Sequence, residues 1–138
     1  MKNIADIEEA TIASVHEGYR TGAFTAREVV QAYLDRIEQL DRSGPALNSI
    51  ISVSETALAE ADALDAALKS SGELMGALHG VPIVVKDQIE TAGLRTTFGS
   101  AAAADYVPAA DAAAIARLRA AGAIILAKTT LPDFATSW

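Results

Sequence analysis

Two runs of the chain, VPIVVK (Val81–Lys86) and AIILAK (Ala123–Lys128), are apolar up to a terminal lysine. Short apolar runs bounded by turn residues predict strands covered on both faces. Pro82 fits such a strand only at its start or on a sheet edge. Between the runs lie a long connection, Gln88 to Pro108, and a helical stretch capped by Asp111. That helix turns Ile115 and Leu118 inward and ends at Gly122. Strand, crossover with helix, strand is a βαβ unit, which makes the two strands parallel. Lys86 and Lys128 then share the carboxyl edge of the sheet, where open α/β folds place their ligands.

The flanking sequence fills in helices and one more strand. Ile4, Ile7, Thr11 and Val15 recur at helical spacing and predict a first helix to about Glu17, stopping before Gly18. Thr25 and Glu28 form a capping-box pattern for a second helix, with Phe24 and Val29 placed as a hydrophobic staple. Its stripe runs through Val30, Tyr33, Leu34, Ile37 and Leu40 to the breaker Ser43-Gly44-Pro45. LNSIISV, Leu47 to Val53, reads as a strand. Ser54 is placed to cap a third helix lined by Leu58, Ala61, Leu64 and Leu68, which ends near Ser71-Gly72. The fold class predicted is layered α/β.

Composition narrows the functional classes. The chain has 138 residues, half of them hydrophobic, enough for one core. A net charge of −7 argues against a nucleic-acid partner, and there is no basic amphipathic helix for a membrane surface. Without cysteine there is neither a disulfide framework nor a zinc-thiolate site. Met1 to Ala13 lacks the basic start and apolar core of a signal peptide, and no apolar run is long enough to span a bilayer, so a cytoplasmic protein is expected.

Lys86 is the residue that asks for a chemical explanation. A lysine at a strand end ordinarily snorkels to solvent. Lys86, however, is followed at once by Asp87 and by a long segment able to roof it. A roofed lysine loses hydration, its pKa falls, and it can act as a neutral base. Around Lys128, GAIILAKT differs from the phosphate-loop pattern by Ala127 in place of glycine. Ile124, Ile125 and Leu126 make that stretch a strand, so nucleotide binding is not expected. His16 and His79 are not at metal-ligand spacing and read as surface residues, and no metal site is expected. Glu55, Glu60, Asp62 and Asp65 read as the wet side of the third helix. Thr96, Thr97 and Ser100 read as turn-stabilising hydroxyls. No nucleophile elbow of the G-x-S-x-G type occurs.

The order of motifs resembles the start of the amidase signature family. The segments that carry the resemblance are TGAFTAREVVQAYLDRIEQLD, LNSIISV, LHGVPIVVKDQIETAGLRTTFGS and DAAAIARLRAAGAIILAKTTLPDFA. Together they cover nearly the whole chain. The resemblance implies an α/β/α fold on a mixed, largely parallel sheet, incomplete in this chain. It also implies a hydrolase of amide C–N bonds that works through an acyl-enzyme, with no cofactor and a small-molecule amide as substrate. Lys86 falls on the lysine of the family's Ser–cis-Ser–Lys triad, where it takes a proton through the bridging serine and activates the nucleophilic serine. A hydroxyl nucleophile needs such a base within hydrogen-bond reach. Ala135 and Thr136 fall where the family forms its acyl pocket, and Lys128 reads as structural or as a residue that supports the site without touching substrate. Ala127, Thr130 and Asp133 stand where the family often has Gly, Asn and Glu.

The family's two serines belong to a Gly/Ser-rich stretch downstream of KTTLPDF, and none is present before Trp138. Residues 1–138 are therefore expected to be the N-terminal part of a single amidase-signature domain, inactive alone. Self-association or a complementing C-terminal portion is then expected, because three strands of a larger sheet leave an open edge. Two alternatives stay open. One is a non-catalytic truncated fragment or binding module. The other is the amidase subunit of a tRNA-dependent amidotransferase. A Schiff-base lysine enzyme lacks a recognisable phosphate cradle here.

Overall fold

The computed structural model describes residues 7–135. Its elements in chain order are α1 (Ile12–Thr21), α2 (Ala26–Arg36), β1 (Ile50–Val53), α3 (Ala57–Ser71), β2 (Pro82–Lys86), α4 (Ala113–Ala120) and β3 (Ile124–Thr129). The sheet order is β1-β3-β2, with β3 parallel to β2 and antiparallel to β1. The βαβ unit is thus present, and Pro82 opens an edge strand, where its missing N–H breaks no ladder.

Two apolar clusters sandwich the sheet. On one face Ile124 and Leu126 pack against Val15, Val29, Val30 and Ala61 from α1, α2 and α3. On the other, Val85 and Ile125 pack against Leu94 of the connection and Ile115 of α4. The central strand β3 is buried up to Thr129, as a strand covered on both sides must be.

One irregularity governs everything at the carboxyl edge. Ile83 pairs with Ile125, but Val84 pairs with Ala127, so β3 carries one extra residue against β2. A bulge of this kind reverses the side-chain alternation beyond it. Without it Lys128 would share the face of Ile124 and Leu126. With it, Lys128 pairs with Val85 and points to the face covered by the connection.

Several local expectations need correction. Ile4 lies outside the described residues, and Ile7 belongs to a short 3-10 turn rather than to a long first helix. The helix starts at Thr11, which is not an inward-facing residue but the N-cap, sharing reciprocal hydrogen bonds with Ser14. It runs through Gly18 to the left-handed Gly22 (φ 66°). Gly18 is inside the helix because the Phe24 ring occupies the space its Cβ would need. The Thr25–Glu28 capping box is as expected. The acids of α3 are not simply wet: Asp65 accepts from the N–H groups of Ala26 (2.7 Å) and Arg27 (3.0 Å), free donors at the start of α2. Asp111 does not cap α4. Its carboxylate accepts from Ala92 N–H (2.7 Å) and pairs with Arg119.

Both histidines are buried, not on the surface. The continuation of α1 carries His16 and Tyr19 onto the turn that leads into β2. There His16 Nε2 lies 3.1 Å from the His79 carbonyl, and the Tyr19 hydroxyl donates to the Gly80 carbonyl at 2.9 Å. His79 Nδ1 accepts from Met75 N–H at 3.0 Å. Burial, more than the proximity of His16, holds the His79 pKa below the ordinary histidine value.

Candidate active site

The βαβ geometry brings Lys86 and Lys128 to the same edge of the sheet, Lys86 opposite Thr129 and Lys128 opposite Val85. They meet different surroundings. The connection roofs Lys128 and leaves Lys86 exposed, the reverse of the sequence-based expectation for Lys86. The bulge in β3 is the cause. It rotates Lys128 under the connection, whereas Lys86 points to the face on which Val84 is also open, 49% exposed.

Lys86 extends its ammonium to the carbonyl of Thr130, 2.5 Å away, in the segment that leaves β3. Its backbone is held more tightly. The Lys86 carbonyl accepts from Ile89 N–H at 3.0 Å, closing a turn, and the next N–H, that of Asp87, donates to the Thr129 carbonyl at 3.0 Å.

Asp87 is fully buried and acts as an anchor. Its carboxylate accepts from Thr97 N–H (3.1 Å), the Thr97 hydroxyl (2.5 Å) and Gly99 N–H (3.2 Å). A buried carboxylate is tolerable only with such donors. Lys128 is equally buried, and its ammonium donates to the Ile89 carbonyl (2.6 Å) and the Thr96 hydroxyl (2.7 Å). Burial pushes the Lys128 pKa below the ordinary lysine value, and the nearby Asp87 charge opposes that shift. Thr96 and Thr97 thus serve the internal scaffold, as turn-stabilising hydroxyls would, and Ser100 caps a short 3-10 turn.

The segment after β3 folds back over the connection. Phe134 N–H donates to the Phe98 carbonyl at 2.8 Å, and the two rings stack with centroids 6.5 Å apart. Gly99 (φ 71°) permits this closeness, because a Cβ there would lie 2.6 Å from the Leu131 carbonyl oxygen. Ala135 is exposed and left-handed (φ 57°), its N–H turned to the Pro132 carbonyl at 2.8 Å. Non-glycine residues in that region are uncommon and tend to sit at functional turns. Thr136 lies outside the described residues.

A cavity of about 330 Å³ borders this edge, lined by Thr97, Gly99, Ser100, Thr130 and Leu131 among others. A larger space, about 640 Å³, lies by Ser52, Glu60, Leu94 and Arg119, and neither lysine lines it. Among the described residues, no three His, Cys, Asp or Glu side chains converge as metal ligands would, and no helix is long and apolar enough to cross a membrane. Sequence reasoning missed Asp87 and Thr96 as partners in one buried network. The adjacency Lys86-Asp87 was the available signal, since a charge beside an apolar strand end needs a partner.

Comparison with known proteins gives a consistent set of relatives. The sequence model of the family described as Amidase matches residues 28–138. The chain is 45% identical over 130 residues to a glutamyl-tRNA(Gln) amidotransferase subunit from Alkaliphilus metalliredigens, covering 94% of this chain and 26% of that one. The crystal structure of native peptide amidase from Stenotrophomonas maltophilia superposes with a TM-score of 0.86 at 38% identity, over 92% of this chain and 26% of the other. An amidase family protein from Bacillus anthracis gives 0.85 at 30% identity, over 92% and 25%. The chain spans about a quarter of the length of the relatives it matches.

Proposed function

The chain belongs to the Amidase family, and from that premise we propose that it contributes the catalytic base, Lys86, to an enzyme that hydrolyses amide C–N bonds through an acyl-enzyme. The observation that carries this reading is the placement of Lys86. It ends a parallel strand at the ligand-binding edge, its main chain is fixed on both sides, and its ammonium is exposed toward an uncovered face. A base must be rigidly mounted yet reachable by the hydroxyl it serves. The serines that would complete the triad are supplied from outside residues 1–138. The open face beside Val84 is the surface on which they would approach.

The substrate is a small-molecule amide in this reading. Ala135 is assigned to the acyl pocket, supported by its exposed, left-handed turn next to the Lys86 partner segment. The test is Lys86→Ala in the intact protein, assayed on simple amides. Amide hydrolysis falls by several orders of magnitude, since members of a catalytic unit act together. Activity near that of the parent would overturn the assignment.

A second reading is supported by the 45% identity to a subunit of a glutamyl-tRNA(Gln) amidotransferase. In it the same chemistry releases ammonia to a partner protein instead of to water. Adding that partner would then raise glutamine hydrolysis, whereas a stand-alone amidase would be indifferent to it.

A further inference from the structure

We propose that Lys128 and Asp87 are positioning residues that hold Lys86 in its working geometry without touching substrate. The inference rests on the reading of Lys86 as the base. It starts from an oddity of the core: two fully buried charged side chains stand one residue from each strand end, and no step of amide hydrolysis uses either. Burying them costs solvation that an apolar pair would not.

Each charge ties a strand end to the connection. Lys128, from β3, holds Ile89 and Thr96. Asp87, from β2, holds Thr97 and Gly99. The two sets of bonds converge on Lys86. Ile89 gives its N–H to the Lys86 carbonyl and its own carbonyl to the Lys128 ammonium. Lys128 therefore holds the residue whose N–H fixes the Lys86 carbonyl. On the other side, Asp87 is the residue next to Lys86, and its carboxylate cannot turn without losing its donors, the N–H and hydroxyl of Thr97 and the N–H of Gly99. An apolar side chain at either place could fill the volume, but it could not fix the direction of the Ile89 carbonyl or the Thr97 amide. Directional bonds from the supporting shell are what hold a reacting group to within fractions of an ångström.

The test is made on the intact protein, with Lys128→Met, Asp87→Asn and the double variant Lys128→Met/Asp87→Asn. Assays run well below the unfolding temperature, so that rates refer to folded enzyme. The expected result for Lys128→Met is a fall in kcat of about 10- to 100-fold with KM within about twofold. The double variant loses about as much as the worse single one, because the two residues serve one geometry. A purely structural role would lower the unfolding temperature and leave kcat of the folded protein unchanged, and that result overturns the proposal. If Lys128→Met does not fold, Thr96→Val removes one acceptor and leaves the charge in place. It should cost about tenfold in kcat, and an unchanged kcat overturns the proposal equally.

A second readout does not depend on the reaction. In the parent the ¹³Cε resonance of Lys86 should lie away from the free-lysine value, and in Lys128→Met it should move toward that value as the exposed side chain averages over several positions. An identical signal in both proteins overturns the positioning role even if Lys86→Ala abolishes activity. Conversely, full activity in Lys86→Ala removes the base assignment while the resonance still decides whether Lys128 holds Lys86.

Discussion

Lys86 and Lys128 end neighbouring parallel strands and leave the sheet on opposite faces. One extra residue in β3 separates their fates. It sends Lys128 into the layer between sheet and connection, where its ammonium donates to Ile89 and Thr96, while Lys86 lies exposed on the other face beside the open Val84. Two lysines that look alike in sequence are thereby divided into a buried, hydrogen-bonded one and an exposed one.

The division has a measurable energetic side. Lys86→Ala removes an exposed side chain and one bond to a carbonyl, so stability should change by no more than about 0.5 kcal/mol. Lys128→Ala leaves a cavity, takes one donor each from the Ile89 carbonyl and the Thr96 hydroxyl, and removes the countercharge of Asp87. The expected loss is about 2–5 kcal/mol. Urea unfolding of the two variants reads the contrast, and equal losses would contradict the burial difference.

Asp41 provides an acid-sensitive joint at the start of β1. Its carboxylate accepts from Ser49 N–H (2.6 Å), the Ser49 hydroxyl (2.6 Å) and Ile50 N–H (3.2 Å). The hydroxyl bond from Ser49 is the main reason its pKa lies below the ordinary value of 3.8, with burial opposing. A depressed carboxylate stabilises the fold fully above its unfolded pKa and loses that contribution as pH falls through the folded one. Asp41→Asn should therefore be less stable than the parent at neutral pH, and the gap should narrow below about pH 4. A gap constant with pH would rule out the carboxylate as its source.

The β2 edge predicts the behaviour of the chain by itself. Edge strands with unpaired N–H and C=O groups invite pairing, and Val84 is open on the adjoining face. Phe134, 65% exposed, and Val107, 51% exposed, add apolar surface. Residues 1–138 expressed alone should associate with a second copy. Size-exclusion chromatography with light scattering tests this, and a monomer that unfolds cooperatively would refute it.

Much of this architecture is legible in the sequence because its signals are local. The Thr25–Glu28 capping box, the apolar runs and the presence of a helix before β3 each depend on neighbours a few residues away. The errors arise where a distant residue decides. Gly18 looks like a helix stop until Phe24 folds over it, and Asp65 looks solvated until the start of α2 meets it. The roofing of Lys128 rather than Lys86 depends on a bulge, and a one-residue shift in pairing leaves no mark in an apolar run. Asp87, Thr96 and Thr97 are adjacent to correctly placed features. Their joint role becomes readable only when both strand ends are set side by side.

His79 offers the most discriminating test of the packing before β2. It is fully buried, accepts from Met75 N–H through Nδ1, and its ring lies edge-on to Tyr19 at 6.0 Å. Burial holds its pKa below the ordinary value of 6.5, the neighbouring His16 adds to the shift, and Asp65 opposes it. As pH falls below 6.5 the unfolded chain gains a proton that the folded one refuses, so stability declines until the folded pKa is reached. His79→Gln keeps an acceptor for Met75 but cannot titrate. Between about pH 7.5 and pH 5.5 the parent should lose more unfolding free energy than this variant. Denaturant titrations at the two pH values give the difference directly. If parent and variant lose the same amount, the pH dependence originates elsewhere and His79 is not held neutral by its burial.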